Sequence, residues 1–135
     1  MLNRADTSNR SLPSSTAFGI SQRQLDRRTS VIAIEGELDL ARAPSLKWTL
    51  IDSLAAGHNQ LVLDLSLATF MDSTALGVLV GVNRSLDDGA RLAIAGARAN
   101  VLKIFELSGL DGAFAIFSTL DEALGYAQGH VARAS

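Results

Sequence analysis

The sequence predicts one α/β domain, built on a mixed, mostly parallel β-sheet of about five strands with about four helices. Its 135 residues suffice for one hydrophobic core, and 47% of them are hydrophobic while 19% are charged, which is typical of a globular chain. After an initial hairpin, short apolar strands alternate with helical segments across short connections. Such an alternation predicts parallel crossovers and helices packed on a sheet.

The first half of the chain is interpreted as a hairpin, a helix and a central strand. Two strands, "AFGISQRQL" and "TSVIAIEGEL", flank the polar turn "DRR". Pro44 then fits the first turn of a helix, where a missing N–H costs nothing, and Gly57 fits the C-terminal stop of that helix. The next run, "NQLVLDLSL", is apolar on both faces apart from Asp64, which predicts a central strand covered by helices.

The second half continues the alternation of strands and helices. We expect the helix in "TALGVLVGVNRSLDDG" to end at Gly89, and "ARLAIAG" to follow it as a buried strand. The next helix, in "NVLKIFELSG", ends at Gly109, and "GAFAIF" is the fifth strand. The last helix opens with Thr119 and Glu122 in capping-box spacing.

The domain is expected to span residues 16–128. Residues 1–15 are polar and lack periodicity, which predicts a disordered N-terminal tail, and residues 129–135 are expected to form a flexible C-terminal tail.

The composition excludes several classes of function. There is no cysteine, which removes disulfides, thiolate catalysis and cysteine-ligated zinc. A net charge of −2 gives no basic surface for nucleic acid. No apolar run approaches the roughly 20 residues of a membrane span, and the N-terminus lacks the apolar core of a signal peptide. We therefore expect a cytoplasmic protein that needs no cofactor and contacts neither membrane nor nucleic acid directly.

A polar triplet, Asp72-Ser73-Thr74, interrupts two apolar runs where a strand gives way to a helix. Asp, Ser and Thr are preferred helix caps, so a purely structural role is the simplest interpretation. Yet one cap is enough, and the small residues Ala75 and Gly77 leave the hydroxyls approachable. The unpaired N–H groups and the dipole of a helix N-terminus also favour a phosphate there. A phosphoryl group on a hydroxyl at this place is therefore a second interpretation.

Three segments carry a specific resemblance. "GELD" ending at Asp39, then "LVLDLSLATFMDSTALGVLVG", then "LSGLDGAFAIFSTLDEAL", are similar in order and spacing to the STAS-domain family. The chain looks most like the stand-alone bacterial anti-sigma-factor antagonists. The resemblance implies a partner switch, in which the unmodified chain binds an anti-sigma factor and so releases a sigma factor. It also implies that the anti-sigma factor is a serine kinase that ends the interaction with ATP, and that a phosphatase restores it.

The resemblance also assigns roles to residues. Ser73 is the implied phosphoacceptor, and Asp72, Thr74 and Asp39 are implied to lie at the partner-binding edge. Leu76 is included in that contact face, although its spacing fits the core better. In the common pattern of the family, the acceptor serine is followed by Ser-Gly or Thr-Gly, whereas in this chain Ser73 is followed by Thr74-Ala75. The oligomeric state, monomer or weak dimer, is left open.

Other interpretations of the sequence make further predictions. A serine hydrolase needs a base near its serine, and His58 and His130 stand in contexts that favour neither catalysis nor metal binding, so we expect no enzyme. Gly77 and Gly81 have small-xxx-small spacing, which we interpret as packing onto the sheet, with a docking face as the alternative. A STAS scaffold or lipid-transport subunit without phosphorylation, and a small nucleotide-binding domain, remain as rival functions.

Overall fold

The computed structural model describes residues 18–130. The strands are β1 (Gly19–Gln24), β2 (Thr29–Leu38), β3 (Gln60–Met71), β4 (Arg91–Ala95) and β5 (Ala115–Phe117). The helices are α1 (Ala43–Ala55), α2 (Ser73–Arg84), α3 (Ala99–Leu107) and α4 (Leu120–Ala127), with a short 3-10 turn at Asp111–Ala113. The tail predicted for residues 1–15 lies outside the described residues, as do residues 131–135 of the predicted C-terminal tail.

The five strands form one sheet in the order β1-β2-β3-β4-β5. Strand β1 pairs antiparallel with β2, and the other three pairs are parallel. This arrangement confirms the predicted hairpin, the parallel crossovers and the fold class. The carboxyl ends of β2, β3 and β4 therefore lie at the same edge of the sheet, where the α1, α2 and α3 helices begin.

Two hydrophobic layers hold the helices to the sheet. The larger layer joins one face of the sheet to α1, α2 and α3, and its largest fully buried side chains include Leu50, Leu63, Leu79 and Phe105. The smaller layer joins the other face to α4 through small residues such as Ala123. Because the central strand β3 contributes to both layers, its apolar run has no polar face, as the sequence predicts.

Strand β3 continues to Met71, four residues beyond the run from which it was predicted. The register between β3 and β2 shifts twice. Asp64 and Leu67 are three residues apart but pair with β2 residues that are two apart. Ala68 and Phe70 are two residues apart but pair with consecutive β2 residues. Each shift adds one residue to β3, so that buried Leu65, Ala68 and Met71 are separated by pairs of exposed residues. The two bulges thus break the alternation and carry β3 up to the polar triplet.

The predicted end of α2 at Gly89 is wrong, because the helix stops at Arg84. Ser85 is the C-cap of the helix, and its hydroxyl donates a hydrogen bond to the carbonyl of Val82 at 2.8 Å. Gly89 has a φ of 87° and lies in the turn before β4. The glycine therefore marks a turn, as its positive φ requires.

Candidate functional site

The candidate site lies where the end of β2 and the end of β3 meet. Leu38 pairs with Met71 as the last register pair of the two strands, and the backbone N–H of Asp72 donates to the Leu38 carbonyl at 3.2 Å. The loop after β2, residues 39–42, therefore lies beside the first turn of α2. The structure brings Asp39 and the triplet to one edge, in agreement with the prediction.

Asp72 is the N-cap of α2. Its carboxylate oxygen Oδ1 accepts hydrogen bonds from the backbone N–H groups of Thr74 and Ala75, both at 3.0 Å. Two of the backbone donors that were predicted to favour a phosphate are thus already occupied by a carboxylate. The simple capping interpretation of the triplet holds for Asp72.

Asp72 also reaches across to the neighbouring loop. Its second oxygen, Oδ2, accepts a hydrogen bond from the backbone N–H of Leu40 at 2.9 Å. One carboxylate therefore joins the start of α2 to the loop between β2 and α1.

Ser73 and Thr74 are the first two residues of α2, and both side chains are exposed. The Ser73 hydroxyl makes no hydrogen bond to another residue of the described part of the chain. Because Asp72 already serves as the cap, the Ser73 hydroxyl is not needed to hold the helix. It is open to a reagent or a partner from outside.

Leu76 needs a correction. Its side chain is 5% exposed and belongs to the larger hydrophobic layer. A buried leucine offers no surface to a partner, so Leu76 supports the helix from beneath and its inclusion in the contact face is wrong.

Asp39 organises its own loop. Its carboxylate accepts hydrogen bonds from the backbone N–H groups of Ala41 and Arg42, at 3.1 and 3.2 Å. The Arg42 guanidinium lies 3.7 Å from the same carboxylate. Asp39 thus fixes the turn that leads into α1, and it lies beside the triplet through the contact of Leu40 with Asp72.

Leu40 is a residue that the sequence-based prediction missed. Its side chain is 68% exposed although it is a large apolar group, and it follows directly on Asp39. Phe70, at the end of β3, is 43% exposed. The sequence gives little indication of this exposure, because a leucine just before a helix is ordinarily expected in the core.

A shallow groove runs along the exposed side of α1 and α2. It has a volume of about 500 Å³ and is lined chiefly by Lys47, Ile51, Thr74, Val78 and the two glycines of α2. A Cβ atom added at Gly77 or Gly81 would meet nothing within 4 Å. The prediction that these glycines pack on the sheet is therefore wrong, since they face the open groove.

Neither histidine lies near the triplet. His58 precedes β3 and His130 follows α4, and β3 itself spans twelve residues, or roughly 35 Å, between its two ends. His130 lines a depression with Arg28 and Gln60 at the amino ends of the strands. Within residues 18–130, no group of three His, Cys, Asp or Glu side chains is placed to hold a metal ion.

Asp64, the polar exception in the apolar run of β3, accepts a hydrogen bond from the backbone N–H of Ser66 on its own strand. None of the helices formed by residues 18–130 has the length and apolar character needed to cross a membrane.

A family model described as the STAS domain matches residues 22–123. The chain is 30% identical over 95 residues to the anti-sigma-F factor antagonist RsfB of Mycobacterium tuberculosis, an overlap covering 70% of this chain and 78% of that protein.

The fold is also similar to two solved structures. An anti-sigma factor antagonist from Mycobacterium paratuberculosis matches with a TM-score of 0.78 and 26% identity, over 87% of this chain and 99% of that chain. The anti-sigma factor antagonist SpoIIAA, in its unphosphorylated form, matches with a TM-score of 0.71 and 26% identity, over 84% of this chain and 99% of that chain.

Proposed function

Because the chain belongs to the STAS-domain family, we propose that it is an anti-sigma factor antagonist whose binding is switched by phosphorylation of Ser73. In its unmodified form it binds an anti-sigma factor and so releases a sigma factor. The observation that carries the proposal is the exposure of Ser73 at the first turn of α2, beside the loop of residues 39–42.

The anti-sigma factor is proposed to act as the serine kinase. In the transfer, Oγ of Ser73 forms a bond to the γ-phosphorus of ATP, the bond to ADP breaks, and the hydroxyl proton passes to a base of the kinase. The two histidines lie at the other end of β3, away from Ser73. In this proposal the chain is the substrate of the transfer, and a phosphatase reverses the modification.

Charge explains how the modification ends the interaction. Residues 37–42 and 72–74 already carry three carboxylates, of Glu37, Asp39 and Asp72, against the single guanidinium of Arg42. A phosphoryl group adds about 1.5 to 2 negative charges. At about 5 Å and an effective dielectric constant of about 20, each unit pair with an acidic group of the partner costs roughly 3 kcal/mol before salt screening. That cost corresponds to about a hundredfold loss of affinity without any refolding.

The phosphate is not expected to be neutralised within its own chain. The N–H groups of Thr74 and Ala75 already bind the Asp72 carboxylate. The same occupancy argues against a small nucleotide-binding domain, because a free phosphate would have to displace that carboxylate. We expect the switch to operate in the cytoplasm, where ATP and sigma factors are found.

The test is phosphorylation by the cognate anti-sigma factor with ATP, followed by mapping of the modified residue by mass spectrometry. We expect one phosphate, on Ser73, and none on the Ser73→Ala variant, which should still bind the partner. Thr74→Ala is the matched control for the site of modification, since it removes the neighbouring exposed hydroxyl and should still take one phosphate, on Ser73. Phosphate on Thr74, or binding with no phosphorylation at all, would refute the switch and favour a constitutive scaffold.

A further inference from the structure

The loop of residues 39–42 presents an apolar side chain to solvent. Leu40 is 68% exposed, which exceeds the exposed fraction of Phe70 at the same edge. The loop around it is ordered, because the Asp39 carboxylate binds the N–H groups of Ala41 and Arg42. An ordered loop with an exposed leucine loses little conformational freedom when a partner covers it.

The position of Leu40 relative to Ser73 depends on Asp72. The bonds of Asp39 are internal to the loop, so they order its shape but do not join it to α2. The link to α2 is the hydrogen bond from the Leu40 N–H to Oδ2 of Asp72, at 2.9 Å. The other oxygen of the same carboxylate holds the first turn of α2 at 3.0 Å. Asp72 therefore fixes the apolar side chain and the serine as one unit.

We propose that Leu40 is an apolar contact of the anti-sigma factor and that Asp72 is a positioning residue that holds Leu40 beside Ser73. This inference rests on the proposed function, since the partner is the kinase that must reach the Ser73 hydroxyl. A partner close enough to reach that hydroxyl also covers the adjacent loop. The complementary surface on the anti-sigma factor is an apolar pocket large enough for a leucine side chain.

The first experiment removes the side chain. Leu40→Ala is expected to weaken binding to the anti-sigma factor by about tenfold to hundredfold, the range for burying a leucine at an interface. Its thermal midpoint should stay unchanged, because an exposed side chain contributes little to folding. Leu107→Ala is the matched control, since Leu107 is 75% exposed at the far end of α3 and should not affect binding.

The second experiment separates the two hydrogen-bonding roles of Asp72. In Asp72→Asn, the amide oxygen still caps the Thr74 and Ala75 N–H groups, since asparagine is as good a cap as aspartate. The amide nitrogen, however, cannot accept from Leu40. Hydrogen exchange in the free protein should therefore become faster at the Leu40 amide and stay unchanged at Ala75.

A double-mutant cycle then tests whether Asp72 acts through Leu40. If it does, Asp72→Asn weakens binding less than Leu40→Ala does, and the double variant binds no more weakly than Leu40→Ala alone. Additive losses would mean that Asp72 contacts the partner directly. An unchanged exchange rate at the Leu40 amide would mean that the Asp72 carboxylate does not hold the loop. Either result would overturn the positioning role.

The failures of the two proposals are distinguishable. If the wild-type chain does not bind the anti-sigma factor, the proposed function fails. If the wild type binds and Leu40→Ala binds equally well, only the present inference is overturned. The present inference is also overturned if Leu40→Ala abolishes self-association, measured by sedimentation, and leaves binding of the anti-sigma factor intact. Leu40 would then be a contact between copies of this chain.

Discussion

Replacing Asp72 by alanine removes three hydrogen bonds at once. The N–H groups of Thr74 and Ala75 lose their acceptor at the start of α2, and the N–H of Leu40 loses its acceptor in the neighbouring loop. In the described structure Asp72 alone supplies the side-chain cap of α2, so we expect no other residue to replace it. The variant should therefore be less stable than wild type.

The expected loss of stability in Asp72→Ala is the sum of the contributions of two kinds of contact. Loss of an aspartate N-cap costs about 1 kcal/mol. Loss of the Leu40 bond costs about 1 kcal/mol more, which is the value of a typical hydrogen bond and below the range for a charged acceptor, because Asp72 is partly exposed to water. The sum, about 2 kcal/mol, should lower the thermal midpoint by roughly 8 °C in a domain of this size.

Urea and thermal unfolding, followed by far-UV circular dichroism, measure this loss. Asp88→Ala is the control, since Asp88 is an exposed carboxylate in the turn before β4 and should stay within about 0.5 kcal/mol of wild type. Asp72→Asn should lose only the Leu40 contribution. If Asp72→Ala were as stable as wild type, the carboxylate would not join the two segments as the geometry implies.

Three further predictions concern the stability of the domain. Gly77→Ala and Gly81→Ala should each stabilise the protein by about 0.5 to 1 kcal/mol in urea titrations, because the added methyl group meets open space in a helix; destabilisation would mean that the groove is filled. Leu63→Ala should destabilise it by about 2 to 5 kcal/mol, because it leaves a cavity at a fully buried position, and a loss below about 1 kcal/mol would contradict that placement. The backbone N–H of Arg28 donates to Asp26 and lowers the pKa of that carboxyl below its usual 3.8, with help from Thr29. Because the pKa of Asp26 is lower in the folded state, its carboxylate stabilises the fold above pH 3.8, and this stabilisation is lost as the pH falls through the folded-state pKa. Asp26→Asn should therefore be less stable than wild type at neutral pH, and the difference in stability should shrink on acidification. A stability difference that is independent of pH would contradict this role of Asp26.

The fold was predictable from the sequence because its signals are local. The alternation of apolar runs with helical segments gave the hairpin and the parallel crossovers, and Thr119 with Glu122 forms the predicted capping box. The resemblance of the "GELD" and "MDSTA" segments to the STAS family is confirmed by the family match over residues 22–123. Local patterns failed where the strand was irregular, since the bulges of β3 carry it to Met71 and alternation alone predicts an earlier end.

The candidate site was predictable only in part. The sequence predicts a helix cap within the triplet and approachable hydroxyls beside it, but it does not decide that the cap is Asp72. The hydrogen bond between Asp72 and Leu40 is not predictable from local patterns, because it joins residues 32 apart in the sequence and depends on how β2 and β3 end together. Similarly, the spacing of Gly77 and Gly81 is compatible with an exposed face or a packed face of α2. The glycines face an open groove because of how α1 lies beside α2.

The most direct test of the switch is the affinity of the anti-sigma factor for two forms of the chain, one unmodified and one carrying phosphate on Ser73 alone. We expect the phosphorylated form to bind about a hundredfold more weakly at low salt, with a smaller difference as salt screens the added charge. Equal affinities of the two forms would contradict the proposed switch, because the negative charge at the start of α2 would then have no effect on binding of the partner.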